Sequence, residues 1–306
     1  MHTDLSHIPA AKQRELGRVV QCIFEEFGDE IVLAQGKRKA GRILKILLYG
    51  SYARGDWVDE PHTSKGYQSD FDLLIIVNQK ELTDSEVWLN AEERMIRETT
   101  VTRTLRTPVN FIVHSLQEVN DALAQGRFFF MDVVRDAVAL YQSGPTELQA
   151  PRPKEPEDAL ALAEEYFEDW FPTAMSRYKG ARFHLAEGHP KDAAFDLHQT
   201  VERLYHTVLL VQTFYTPHRH NIALLRSLAD PIDRRLVDVW PRTTRSDRAH
   251  FTKLRDAYVK ARYSKHYRIS LEELNWLCER VEELGTVVHE VCAERIAELK
   301  KLAGRG

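Results

Sequence analysis

Two short motifs in the first quarter of the chain gather side chains able to do phosphate and metal chemistry. Gly50-Ser51-Tyr52-Ala53-Arg54-Gly55 follows an apolar run at residues 43–48. A small-residue turn after a buried strand leaves amide groups and a hydroxyl free to hold phosphate oxygens at the start of a helix. Ser69-Asp70-Phe71-Asp72 opens a second apolar run, Leu73-Leu74-Ile75-Ile76-Val77. Asp70 and Asp72 are two residues apart, so a strand places both carboxylates on one face, where they can share a divalent cation. The combination points to a nucleotide site.

The flanking sequence supplies the elements that must hold these motifs. Val19, Ile23 and Phe27 recur at helical spacing and predict a leading helix over residues 10–27. A second helix is expected over 84–103, with Thr83 or Asp84 as its cap, before a strand at 108–114. Ser115-Leu116-Gln117-Glu118 is a capping box, and residues 128–130 and 138–141 close this α/β half. Residues 144–156 contain four prolines and form a linker. Beyond it the pattern is helical throughout. Leu197, Val201, Leu204, Val208 and Val211 share one face, as do Leu274, Leu277, Val281, Leu284, Val288 and Val291. A bundle of about five helices follows, with a short crossover over residues 217–231. The expected domains are 1–143 and 157–306.

Composition narrows the function classes. A net charge of −4 excludes a globally basic nucleic-acid binder, and 43% hydrophobic residues are enough for real cores. Cys22, Cys278 and Cys292 lack metal-ligand spacing and fit reduced core thiols of a cytoplasmic protein. The start is polar and no apolar run approaches a membrane span, so a soluble protein with no membrane partner is expected.

The ordered pair, a strand and Gly50-Ser51 turn with Ala53-Arg54-Gly55, then Ser69-Asp70-Phe71-Asp72-Leu73, resembles the minimal nucleotidyltransferases of the DNA polymerase beta superfamily. The resemblance implies that Gly50 and Ser51 bind the phosphates of ATP or another nucleoside triphosphate, that Asp70 and Asp72 are catalytic and hold Mg2+, and that Arg54 contributes to nucleotide binding or forms an ion pair. Family members carry a third carboxylate on an adjacent strand. Asn110 stands near that place, with His114 on the same face and Glu118 and Asp132 as downstream substitutes. Residues 56–68 form an insert whose Lys65 and Tyr67 are candidates for contact with triphosphate or base.

In the second half, Leu197-His198-Gln199-Thr200-Val201-Glu202-Arg203-Leu204-Tyr205 and the segments around residues 214–221 and 257–263 resemble the HEPN domain. Ribonuclease members carry an Arg, four to six residues, then a His; Arg262-Tyr263-Ser264-Lys265-His266 leaves three, with i and i+4 expected on one side of a helix. Residues 217–268 hold thirteen Lys and Arg against five acids, fitting RNA, nucleotide phosphates, or a basic face toward the acidic half. His198, His206 and His220 are expected to be core or surface histidines. The joint resemblance implies an adenylyltransferase acting on a protein or RNA hydroxyl, Tyr263 and Tyr267 being possible acceptors, in a toxin–antitoxin or defence-like module that forms homo-oligomers through its helical half. The alternatives are a HEPN ribonuclease restrained by the first half, or a silent nucleotide-binding sensor.

Overall fold

The computed structural model describes residues 2–59, 68–144, 146–217, 219–242 and 244–304. They form two compact units that divide near residue 153.

The first unit is α/β. Helix α1 (Ala10–Leu33) leads into β1 (Ile43–Tyr49), the single-turn α2 (Ser51–Arg54) and β2 (Phe71–Val77). Then come α3 (Leu89–Thr100), β3 (Val109–Ser115), α4 (Leu116–Ala124), α5 (Phe128–Asp136) and β4 (Val138–Gln142). The strands form one mixed sheet in the order β3-β2-β1-β4; β2 and β3 are parallel, and β1 is antiparallel to both of its neighbours. Period-two alternation divides β2 between two faces. Phe71, Leu73, Ile75 and Val77 pack with Leu16, Val19, Ile23 and Phe27 of α1 and with Trp88 and Met95. Asp72, Leu74 and Ile76 take the opposite face.

Helix α1 runs six residues past its expected end. The expected second helix starts late: a 3-10 turn at Ser85–Trp88 precedes α3, and Arg103 lies beyond the helix at φ 55°. Polar Asp84 and Ser85 favour a turn there over regular helix. The Ser115 capping box forms as expected.

Glu98 of α3 joins these helices beneath the sheet. It is 5% exposed and accepts both Nε and Nη2 of Arg18 at 3.1 and 2.7 Å, Nε of Arg94 at 3.3 Å and the Thr104 hydroxyl at 3.0 Å. The Arg18 guanidinium, first among these partners, holds its carboxyl down at about 2, and burial pushes the nearby Cys22 thiol up to about 11.

The second unit is all helical: α6 (Pro156–Ala186), α7 (Pro190–Thr213), α8 (Ile222–Ala229), α9 (Arg234–Asp238), α10 (Arg245–Tyr263) and α11 (Leu271–Ala303). Helix α7 is central, with Leu197, Val201, Leu204, Tyr205 and Val208 fully buried. The expected crossover contains α8 and continues into α9. Asn221 caps α8 with its side chain, Asp233 caps α9, and Arg242 Nη2 donates to the buried Asp230 at 3.0 Å. All three cysteines are buried and free. Among the described residues, no helix is long and apolar enough to cross a membrane.

The Glu98 network sets an acid limit on the first unit. Its carboxyl titrates lower folded than unfolded, so its stabilisation is complete above about pH 4.5 and fades as pH falls toward 2. Glu98→Gln should lower stability by about 2–3 kcal/mol at pH 7, after discounting for the partly exposed Arg18, and by much less near pH 2.5. Chemical denaturation at the two pH values measures the difference; an equal loss at both would contradict the assignment.

Candidate nucleotide site and helical-unit cluster

The site is built where β1 ends beside β2. The sheet register sets Tyr49, Asp72 and Asn110 in one row across β1, β2 and β3. Tyr49 is followed by Gly50 at φ 74° and ψ −153°, a backbone conformation that side chains with a Cβ rarely adopt. A Cβ added to Gly50 would lie 2.9 Å from Oδ2 of Asp72. Glycine therefore serves twice here, by allowing the turn and by leaving room for the carboxylate.

Ser51 starts α2, a helix too short to carry an appreciable macrodipole. Any hold on phosphate at this turn comes from its first amides and the Ser51 hydroxyl. Tyr52 fixes the turn. Its fully buried ring stacks on Trp57 with centroids 5.2 Å apart and tilts against Phe71 at 4.5 Å, while its carbonyl bonds His7 Nε2 at 2.9 Å.

Asp70 lies just before β2 and Asp72 within it, 6% exposed. Asn110 Nδ2 donates to Asp70 Oδ2 at 2.9 Å. The carboxylate pair thus has an amide where the resemblance implies a third acid. The proposed substitutes do not complete it. Glu118 caps α4 at the far end of β3, where its side chain accepts the Ser115 amide at 2.9 Å and lies 3.6 Å from His114. That placement holds its carboxyl at about 2, with His114 the leading cause. Asp132 pairs with Arg135 at 2.8 Å. Arg54 pairs with Asp56 at 3.2 Å, leaving its side chain 38% exposed.

The insert leaves the sheet from a short two-stranded stem. Ser69 and Val58 exchange hydrogen bonds, and Asp59 bridges to Gln68. Lys65 and Tyr67 lie outside the described residues.

In the helical unit the Arg-to-His spacing does not form one helical face. Helix α10 ends at Tyr263, Ser264 is extended, and the exposed His266 follows in a turn, its amide donating to Ser264 Oγ at 3.2 Å. Arg262 instead sits in an aromatic cage, 4.9, 4.6 and 5.0 Å from the ring centres of Phe195, Tyr258 and Tyr263. The Tyr258 ring also stacks on His220, with centroids 4.8 Å apart.

Glu202, 7% exposed, accepts His220 Nδ1 at 2.9 Å and Gln199 Nε2 at 3.1 Å, with His198 and His206 at 3.7 and 3.9 Å. His198 is fully buried, and burial, reinforced by His220 and Arg262, pushes its imidazole down to about 3 and keeps it neutral. These histidines therefore converge on one carboxylate, which sequence reasoning missed. The signal was present: His198, Glu202 and His206 are spaced i, i+4, i+8 on α7. The acceptor candidates separate as well. Tyr263 is 76% exposed, whereas Tyr267 is 6% exposed and its hydroxyl donates to the Lys253 carbonyl at 3.1 Å.

Comparison with known proteins gives two findings. Residues 167–291 match the model of the HEPN domain. The N-terminal part is similar to a protein of Methanocaldococcus jannaschii described as a "putative protein adenylyltransferase", 47% identical over 47 residues, which is 15% of this chain. The match spans 39% of that relative's length.

The Gly50 geometry makes a direct prediction. Gly50→Ala forces a strained backbone and crowds Asp72, so stability should fall by about 1–3 kcal/mol and ATP affinity at least about tenfold. Thermal melting and calorimetric titration read both, and unchanged ATP affinity would show that phosphate does not approach this turn.

Proposed function

Starting from a HEPN domain that follows a nucleotidyltransferase-like sheet, we propose that the first unit binds a nucleoside triphosphate with magnesium and transfers AMP to a protein hydroxyl. The observation that carries this reading is the Gly50 turn packed on Asp72, with Asp70 two residues earlier on the same face. A protein acceptor is favoured over an RNA end by the name of the archaeal relative.

The residues fit a hard divalent cation. Carboxylate oxygens are its preferred ligands, and the glycine lets the Asp72 carboxylate lie against the turn. Bound magnesium would neutralise charge on the triphosphate and on the departing pyrophosphate. Asp70 and Asp72 hold it, and the Gly50-Ser51 turn orients the phosphates. The acceptor hydroxyl gives up its proton to solvent water as its oxygen bonds to the α-phosphorus and the bond to pyrophosphate breaks. Asn110 cannot take the acceptor's proton, because an amide is not a base at neutral pH.

Within a toxin–antitoxin or defence-like module, such transfer would act on HEPN domains, in this chain or in a second copy joined through the helical unit. Tyr263 is the exposed acceptor candidate. A second reading, a nucleotide-binding sensor with little transfer, is favoured by Asn110 in place of a carboxylate.

Incubation of the full chain with ATP and Mg2+ should add AMP units visible by intact-mass spectrometry and absent from Tyr263→Phe. Added mass retained in that variant would place the acceptor elsewhere. An unmodified wild-type chain that still binds ATP would favour the sensor.

A further inference from the structure

The side chain of Asn110 limits what the carboxylate pair can hold. It is paired in register with Asp72 across β2 and β3 and reaches back to Asp70, donating Nδ2 to Oδ2 at 2.9 Å. An N–H group cannot ligate a cation, and this one occupies an oxygen of Asp70 that an ion would use. Turning the amide to offer its oxygen would set that oxygen against Asp70 Oδ2. The downstream acids Glu118 and Asp132 are committed elsewhere, Glu118 to the α4 cap and His114, Asp132 to Arg135. Among the described residues, no group of three His, Cys, Asp or Glu is arranged to hold a metal.

Two carboxylate charges balance one divalent cation. The triphosphate's own oxygens complete the shell of an ion on the phosphate side, whereas a second ion on the acceptor side, away from the β- and γ-phosphates, would need a further anionic protein ligand. We infer that this site seats a single divalent cation on Asp70 and Asp72, and that Asn110 is the residue that sets the number. This rests on the nucleotide reading above and deepens it. With one ion the chain can neutralise and orient a triphosphate, but it lacks the second seat from which an acceptor hydroxyl would be activated. Slow transfer or stable nucleotide retention follows.

Crystals grown with Mn2+ and a non-hydrolysable ATP analogue test this by anomalous scattering, a count that does not depend on turnover. The wild-type chain should show one manganese peak at Asp70 and Asp72. Asn110→Asp, which restores a third charge, should show two, about 3.5–4 Å apart, with AMP transfer raised at least about tenfold. Two peaks in the wild-type chain would overturn the inference while leaving the nucleotide reading intact, and a single peak in Asn110→Asp would do the same. Nucleotide bound without manganese would also overturn it. Wild-type crystals with neither nucleotide nor manganese would remove both readings. The wild-type count stands even if the variant fails to fold, and Asn110→Glu provides a second carboxylate at the same position.

Discussion

The absence of a side chain at Gly50 is the constraint from which the first unit's site follows. With φ at 74° and the space of a Cβ claimed by Asp72, the chain can leave β1 and turn directly over the carboxylate of the next strand. Any other residue would separate the turn from the acid. The antiparallel pairing of β1 with β2 sets Tyr49 opposite Asp72, so the turn after Tyr49 lands beside the carboxylates. Tyr52, clamped between Trp57 and Phe71, keeps it there. The apolar face of the sheet on α1 and α3 makes this a rigid platform, and Glu98 ties those two helices together.

A different balance governs the helical unit, where burial and aromatic stacking organise charge. Glu202 lies within α7 and is matched by the imidazoles and amide around it, and Arg262 is held over rings instead of against an acid. The Arg262 guanidinium and the His220 ring share the Tyr258 platform, whereas His266 lies past the helix end. The titratable side chains that converge in this unit are therefore those of α7 and the loop before α8.

Much of this was legible in the sequence because it depends on local periodicity. The two apolar runs around Gly50 and Asp72, the Ser115 capping box, and the stripes on α7 and α11 each declare themselves within a few residues. Both resemblances rested on such segments, and the HEPN match covers the helical one. What escaped depended on contacts between distant residues or on where helices stop. Asn110 could be placed near the acids by pattern, but its hydrogen bond to Asp70 arises from the β2–β3 register. His220 approaches Glu202 across a loop, eighteen positions away in the chain. The end of α10 at Tyr263 turned an expected helical face into a helix and a turn, because the Ser264 backbone adopts an extended conformation there.

On the proposed reading, Asp70 and Asp72, beside the Gly50 turn, hold a nucleoside triphosphate through a divalent cation. Isothermal titration of ATP into the wild-type chain and into Asp70→Asn with Asp72→Asn, each with and without Mg2+, tests it most directly. Mg2+-dependent binding should be lost in the double variant, whose melting temperature stays at or above that of the wild-type chain because two neighbouring like charges are removed. Mg2+-dependent affinity that is equal in the two proteins would contradict it.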